Sequence, residues 1–345
     1  MKRRSEAIHF AVPGALDQAT GGYRYDAAIV AGLRALGHEV VVHELAGRFP
    51  LADAPAVAAA RAALKKIGRG RAVIDGLALP AFAGLLGGKR RIAGLVHHPL
   101  WLESGMARRT ADELRRLESG MLKQLATVIV TSQATRLDVM ALGVDPGSIA
   151  VVEPGTAPGA VRWRGAGVAR LLSVGTLTPR KAHDLLLRAL AKQRHRGWRL
   201  ICAGSVTRNV HHARALRALV TRLRLGARVR FTGEVPPRTL ARLYAGSDLF
   251  ILPSLHEGYG MAFAEALARG VPVVGSHAGA LSDVVPRPAG ILVPPGRVTA
   301  LSSTLRLLLG TSHRRERLAR GAFLRRRYFP GWPAQVRRFL RALPS

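Results

Sequence analysis

Two carboxylates lie close together in a stretch whose residue types suit a ligand that carries phosphate and hydroxyl groups. Glu257 falls in a polar loop, Ser254–Gly260, and Glu265 falls in the apolar helix predicted to follow it. Gly258 and Gly260 allow the loop backbone positive φ angles and a close approach to a ligand. The start of the helix offers free N–H groups to an anion. We therefore predict that loop amides bind phosphate and that Glu265, an acid among apolar neighbours, binds a diol.

Two cations occupy a similar position after an earlier predicted strand. Arg180 and Lys181 follow a turn that begins with Gly175 and Thr176, and they lie at the start of a predicted helix. Cations at that end of a helix oppose its dipole, unless an anion lies between them. A diphosphate would satisfy this arrangement, and two solvated basic residues are an equally good explanation.

Two further pairs follow strands in the first half of the chain. Gly21 and Gly22 could bring backbone amides to a phosphate, although no G-x-G-x-x-G fingerprint is present and a plain turn is the alternative. His97 and His98 end an apolar strand, where histidines are either structural or in contact with substrate.

Composition excludes several classes of protein. The single cysteine, Cys202, permits neither a disulfide framework nor a cysteine-based metal site, which fits a cytoplasmic protein. The sequence contains no D-x-D, no P-loop, no H-E-x-x-H and no G-x-S-x-G. We therefore predict no metal site and no P-loop, zinc-hydrolase or serine-esterase chemistry.

The net charge of +32 is unevenly distributed. Residues 1–160 carry 20 basic and 14 acidic groups, and residues 161–345 carry 33 and 7. Such a field favours anionic partners: nucleotides, anionic lipid or nucleic acid. The alternative is an arginine-rich solvated surface, because the arginines are scattered over many elements.

The order of predicted elements gives the domain organisation. Strands alternate with helices throughout, which predicts parallel sheets with right-handed crossovers. The segment Thr156–Ala169 breaks the alternation with Gly, Pro and Ala and is the predicted linker. We expect one Rossmann-like domain over residues 1–160, joined by the C-terminal helix at 330–345, and a second over residues 161–329. Ligands bind at the carboxyl ends of such strands, so the loops named above could face one cleft.

Taken together, these motifs resemble those of family 4 retaining glycosyltransferases. HEGYGMAFAEALARGVPVV is similar to the E-G-[FY]-G…E-A-x-A-x-G-x-P-V-V signature of that family. TGGYRYDAAIVAGLRALGHEV, LLSVGTLTPRKAHDLLLRAL, VRFTGEV and AGILVPPG resemble its other motifs in the same order. The resemblance implies the α/β GT-B fold, in which two Rossmann-like domains face each other across a cleft. The N-terminal domain would lie on the acceptor side and the C-terminal domain on the side of the nucleotide-sugar donor.

The resemblance also assigns roles to individual residues. Glu265 would bind the ribose hydroxyls, and Glu257 would lie near hydroxyls of the transferred sugar. The amides of Tyr259–Ala262, which include Met261, would hold the diphosphate or the sugar, and Lys181 would neutralise the departing diphosphate. In the N-terminal domain, Gly21 and Gly22 would form the phosphate-side loop, and His97 or His98 would lie beside the donor sugar.

The sequence departs from the family pattern in three places. Thr176 stands where an arginine is common, and Arg180 is our candidate for the missing charge. Ala182 replaces the usual glycine after the lysine, and Gly279-Ala280…Asp283 replaces a Gly-Gly…Glu motif.

We therefore predict a metal-independent retaining glycosyltransferase that needs no cofactor and uses a UDP-, GDP- or ADP-sugar as donor. The acceptor is left open: a glycan, a lipid or a small molecule. The alternatives are a GT-B epimerase or phosphorylase, or a nucleic-acid or anion-binding protein on the same scaffold, although we do not expect nucleic acid as a partner. The expected location is cytoplasmic, and peripheral contact with the inner face of the membrane is left open. Candidate membrane-contacting segments are Arg61–Arg71 and Ala107–Lys123, and acids in the second favour a solvated face.

Overall fold

The computed structural model describes residues 6–87, 91–159 and 167–344. The chain divides into two compact units, which we call unit 1 and unit 2. Unit 1 comprises Met1–Gly155 and Pro330–Ser345, and unit 2 comprises Thr156–Phe329. Of the predicted linker Thr156–Ala169, residues 160–166 lie outside the described residues.

Unit 1 is built on a parallel sheet of six strands in an order that brings the ends of its first, third and fourth strands side by side. The strands are β1 (Ile8–Pro13), β2 (Val40–Leu45), β3 (Arg71–Asp75), β4 (Ile92–Val96), β5 (Thr127–Val130) and β6 (Ile149–Val151), in the order β2-β1-β3-β4-β5-β6. The helices between them are α1 (Gly21–Ala35), α2 (Ala54–Ile67), α3 (Arg108–Leu122) and α4 (Gln133–Met140). Since β1 pairs with both β2 and β3, the strand order reverses there and leaves a crevice at the carboxyl ends.

Unit 2 repeats this architecture. Its strands are β7 (Ala169–Val174), β8 (Trp198–Ala203), β9 (Val229–Gly233), β10 (Leu249–Leu252), β11 (Val273–Ser276) and β12 (Gly290–Val293), in the order β12-β11-β10-β7-β8-β9. Its helices are α5 (His183–Ala191), α6 (Val210–Arg222), α7 (Pro237–Ala245), α8 (Met261–Leu267), α9 (Leu281–Val284), α10 (Val298–Gly310) and α11 (Ser312–Arg325). The central strands are buried on both faces, which explains their continuous apolar sequences. The order reverses between β7 and β10.

The last helix, α12 (Trp332–Ala342), belongs to unit 1 and packs on α1. A side chain at Gly32 would bring a Cβ within 2.3 Å of Val336, so this glycine permits the close approach of the two helices. Phe339 stacks on Phe10 of β1 at a ring-centroid distance of 6.2 Å. The chain therefore returns from unit 2 to complete the core of unit 1.

The sequence predicts all twelve strands, and the two parallel sheets confirm the predicted α/β fold class. Several local bounds differ, and the helix predicted over Arg61–Ile67 begins at Ala54 as α2. The sequence predicts a helix over Tyr25–Leu36, whereas α1 begins at Gly21, so the glycine pair lies in its first turn. β11 begins after Pro272, and the short helix α9 has no clear signal in the sequence. Within the described ranges, none of the helices combines the length and the apolar character needed to cross a membrane.

Candidate functional site

The loops after β7 and β10 meet at the carboxyl edge of the unit 2 sheet. β7 is hydrogen-bonded to β10, so loops that are 76 residues apart in sequence leave the sheet side by side. The backbone N–H of Leu255 donates to the carbonyl of Arg180 at 2.8 Å. The guanidinium of Arg180 donates to the carbonyl of His256 at 2.9 Å. These bonds join the two predicted ligand-binding loops.

Lys181 and Glu257 form a short ion pair at this edge. The Lys181 Nζ lies 2.6 Å from Glu257 Oε1, and Arg180 Nη1 lies 4.0 Å from Oε2. The hydroxyl of Ser254 donates to Oε1 at 2.6 Å. Burial alone would raise the pKa of Glu257, but the charges of Lys181 and Arg180 and the hydrogen bonds outweigh it and lower the pKa. Glu257 is therefore an ionised, buried carboxylate held by two cations, and the three charges leave a net positive site.

The residue after Lys181 adopts an unusual backbone conformation. Ala182 has φ +49° and ψ +40°, the left-handed region that favours glycine. This conformation turns the chain from a short 3-10 helix, Pro179–Lys181, into α5. The alanine replaces a glycine of the family pattern, and the strain of about 1 kcal/mol is stored next to the candidate phosphate-binding lysine.

Gly175 packs beneath the same lysine. A Cβ at Gly175 would lie 3.5 Å from Lys181 Cδ, an ordinary contact distance. Its N–H donates to the carbonyl of Ala203 in β8 at 2.9 Å, and the carbonyl of Thr176 accepts from Thr178 at 2.8 Å. The turn is thus anchored to the sheet, and Thr176 supplies no charge to the site.

A third loop packs against Glu257. Gly279 has φ +57°, and a Cβ there would lie 2.0 Å from the carbonyl oxygen of Glu257. The N–H of Ala280 donates to that oxygen at 2.9 Å. The departure from the family motif therefore keeps the glycine that the close approach requires.

The segment that leads into α8 comprises Gly258, Tyr259 and Gly260. Gly260 has φ +93° and caps a helix of seven residues, with Met261 and Ala262 half-buried in its first turn. Tyr259 is buried. Since α8 is so short, its dipole is weak and an anion here would depend on individual N–H groups.

The apolar neighbours of Glu265 in the sequence favour a position inside the protein, but its side chain is only half-buried. Its carboxylate forms no salt bridge with any residue in the described ranges. Arg269, four residues on, donates instead to the backbone carbonyl of Glu265 at 2.9 Å and stacks over Tyr244 at 5.2 Å. The carboxylate therefore remains accessible to a ligand.

In unit 1, His97 is clamped between two buried carboxylates. Its Nε2 lies 3.0 Å from Asp26 Oδ1 in α1 and 3.2 Å from Asp75 Oδ2 at the end of β3. The ring meets Tyr25 edge-on at 5.3 Å. A Cβ at Gly22 would lie 3.0 Å from His97 Cδ2, so the glycine makes room for the imidazole. The strand-order reversal of unit 1 brings these residues together.

Burial and the neighbouring charges shift the pKa values of this cluster. Burial alone would lower the pKa of His97, but Asp26 and Asp75 outweigh it and raise the pKa to about 10. Burial is also the main cause that raises the pKa of Asp26. One ligand atom from each of the three residues lies within 4.8 Å of the others, a spacing that could also hold a metal ion. The 3.0 and 3.2 Å separations also suit direct ion pairs, and the buried Oδ2 of Asp26 has no hydrogen-bond partner among the described residues.

The structure separates His98 from His97. The Nε2 of His98 lies 3.3 Å from Glu103 Oε2, outside the buried cluster. Gly21 starts α1, where no side chain caps the first turn.

Sequence reasoning missed Asp26, Asp75 and Ser254. Asp26 could have been found by the argument used for Glu265, because it is an acid on the apolar face of a predicted helix. Asp75 ends a predicted strand and could have been included with the other polar residues at strand ends. Nothing in the sequence singles out Ser254.

Comparison with the sequences of known proteins gives matches to glycosyltransferases over part of the chain. Residues 166–325 match the family model described as glycosyl transferases group 1. D-inositol 3-phosphate glycosyltransferase of Thermomonospora curvata is 32% identical over 235 residues, 61% of this chain and 54% of that protein. The protein of the same name from Frankia alni is 35% identical over 219 residues, 60% of this chain and 52% of that protein. The chain thus spans about half the length of these curated relatives.

Solved structures establish the fold over nearly the whole chain. Sucrose-phosphate synthase from Thermosynechococcus elongatus superposes with a TM-score of 0.83 at 21% identity, covering 97% of this chain and 98% of that one. HepE of Anabaena, solved in complex with UDP-glucose, gives 0.77 at 18% identity, covering 98% and 100%. Residues 166–325 thus match the family model of the glycosyl transferases group 1, and the chain has the GT-B fold.

Proposed function

We propose that this protein is a retaining, metal-independent glycosyltransferase that transfers a sugar from a nucleotide-diphosphate sugar. The observation that carries the proposal is the meeting of Arg180 and Lys181 with the buried carboxylate of Glu257 at the strand-order reversal of unit 2. Two cations there suit a diphosphate, and a carboxylate beside them suits sugar hydroxyls. The UDP-glucose complex of HepE, which shares the fold, is consistent with such a donor.

The chemistry follows from where charge develops. Breaking the bond between sugar and diphosphate creates an oxocarbenium-like sugar and an additional negative charge on the leaving diphosphate. Lys181 and Arg180 stabilise that charge, with N–H groups of Tyr259–Ala262 as further donors. Glu265 binds the ribose hydroxyls. An acceptor hydroxyl attacks the anomeric carbon from the face that the diphosphate leaves, and a diphosphate oxygen takes up the hydroxyl proton. The anomeric configuration is then retained without a side-chain nucleophile.

The roles in unit 1 follow from its charges. Asp26 and Asp75 hold His97 through its Nε2 and raise its pKa, so the Nδ1–H is the group that donates a hydrogen bond to substrate. Gly21 and Gly22, in the uncapped first turn of α1, contribute backbone N–H groups to a phosphate-bearing ligand.

Thermal shift with a panel of UDP, GDP and ADP sugars tests donor binding. A ligand at a hundred times its Kd should add about 2.7 kcal/mol of stability. Glu265→Ala should abolish most of the shift, whereas Glu234→Ala, at an exposed acid of the same unit, should leave it unchanged. Absence of a shift with every nucleotide sugar would contradict the proposal.

Transfer assays then test the reaction itself. The acceptor panel should include D-inositol 3-phosphate, because curated relatives carry that acceptor in their names. The anomeric configuration of the product, read by NMR, tests retention. Full activity in EDTA is expected, and a strict dependence on added metal would direct attention to Asp26, Asp75 and His97. Product formed without an acceptor would favour the epimerase alternative.

A further inference from the structure

Helix α11 has a second, solvent-facing side that the proposed reaction does not use. Its inner side packs into unit 2 through Leu318 and Ala322, both buried. On its outer side Phe323 is 40% exposed and Leu324 is 59% exposed, and Tyr328, just beyond the helix, is 67% exposed. These are large apolar and aromatic side chains placed side by side in water.

A cavity of about 420 Å³ adjoins this outer side. Residues of α11 at helical spacing, from Glu316 to Leu324, line one wall, and the segments that precede β10 and β11 line the other. The apolar part includes Pro272 and Ala319, and Arg269 and Arg320 also line it. Because the second wall lies at the amino ends of β10 and β11, the cavity is at the opposite sheet edge from the Lys181–Glu257 pair.

Unpaired arginines surround these apolar groups. Residues 312–328 contain seven arginines and one acid, Glu316. Four of the arginines are exposed and form no salt bridge or side-chain hydrogen bond with the described residues. These four are Arg314, Arg317, Arg320 and Arg327. Two others cover aromatic rings, Arg326 at 3.6 Å from the Phe323 centroid and Arg325 at 5.0 Å from that of Tyr328.

We propose that the outer side of α11, with the adjoining cavity, binds the surface of a membrane that contains anionic lipid. Such a surface offers the two environments that these side chains lack: phosphate groups for the arginines and an acyl boundary for Phe323, Leu324 and Tyr328. The arginines extend along the helix and do not converge on one point, which suits a plane of headgroups better than a single small anion. This surface differs from the two unit 1 segments considered from sequence.

Helix α6 provides an internal control for arginine content alone. Arg214 and Arg217 are exposed there, and the exposed residues beside them, Ala215 and Ala218, are small. Val210, at the first residue of α6, is 42% exposed, but it lies about two turns from Arg217, which therefore carries exposed charge without a large exposed apolar side chain next to it. A membrane contact that needs both should involve α11 and not α6.

The experiment is co-sedimentation of the full chain with vesicles of phosphatidylglycerol and phosphatidylcholine in equal parts. We expect binding that weakens as salt increases and no binding to vesicles of phosphatidylcholine alone. Arg320→Ser should lower the partition coefficient by about fivefold, as expected for the loss of one cation near an anionic surface. Phe323→Ser with Leu324→Ser should lower it by at least roughly tenfold because apolar burial is lost.

The matched controls are Arg217→Ser on α6 and Lys65→Ser on α2, which should bind as the unaltered protein does. Each variant is first checked for an unchanged melting temperature and an unchanged shift with UDP. Equal losses for Arg320→Ser and Arg217→Ser would show general charge attraction and overturn the proposal. So would absence of binding to the anionic vesicles, or full competition by inorganic phosphate at matched ionic strength, which would indicate a site for a free anion.

Discussion

Replacing Glu257 by glutamine should separate the stability of unit 2 from its affinity for diphosphate. The substitution keeps the shape of the side chain but leaves Lys181 and Arg180 without their carboxylate. At the 2.6 Å separation of Lys181 Nζ and Glu257 Oε1, an effective dielectric constant of about 20 gives an attraction of about 6 kcal/mol before desolvation. Removing one partner of a buried pair costs about 3–5 kcal/mol. Because 15% of the Lys181 side chain is exposed, we expect a loss of about 3 kcal/mol.

The affinity for UDP should increase in Glu257→Gln, although the stability of unit 2 decreases. In the unaltered protein a diphosphate competes with Glu257 for Lys181, whereas in Glu257→Gln the lysine is already available. The variant should therefore melt at a lower temperature without ligand and show a larger stabilisation by UDP. A nucleotide sugar should lose part of this gain, because the proposed contact of Glu257 with the sugar is weakened.

Urea unfolding and thermal shift with UDP measure both effects. Ser254→Ala is the matched control, since it removes one hydrogen bond to Glu257 Oε1 without a change of charge and should cost about 1 kcal/mol. A Glu257→Gln variant as stable as the unaltered protein, with the same response to UDP, would refute this account of the ion pair.

Two further predictions concern unit 2. His183 is buried, and both of its ring nitrogens lack a hydrogen-bond partner in the described structure. Burial lowers its pKa from 6.5 to about 3. Between these two pH values only the unfolded chain takes up this proton, so the free energy of unfolding falls by up to about 1.4 kcal/mol for each unit by which the pH is lowered. Urea titrations between pH 7 and pH 5 should show this dependence of the unfolding free energy on pH. The dependence should be weaker in His183→Leu and unchanged in His195→Leu, at an exposed position. An unchanged dependence in His183→Leu would be evidence against a neutral buried imidazole. A Cβ at Gly321 would lie 1.7 Å from the carbonyl oxygen of Pro288. Gly321→Ala should therefore destabilise unit 2 by about 1–3 kcal/mol in the same assay. Unchanged stability would mean that α11 can shift away from the loop that contains Pro288.

Local patterns in the sequence were sufficient for the secondary structure of the sheets. The strands at Ile92–Val96, Thr127–Val130 and Leu249–Leu252 were predicted with the bounds that the structure shows, because apolar runs between turn residues identify buried parallel strands. The start of α1 was missed, since Gly21 and Gly22 are poor helix formers and the packing of Gly22 against His97 is a tertiary contact.

Residue types and motif order by themselves determined the α/β class, the alternation of strands and helices, and the candidate residues Lys181, Glu257 and Glu265. Only the tertiary structure showed that Lys181 is paired with Glu257 and that His97 is held between Asp26 and Asp75. The physical reason is that both clusters join residues far apart in sequence, at points where the strand order reverses. Strand order depends on how all the elements pack, and local periodicity carries no information about it.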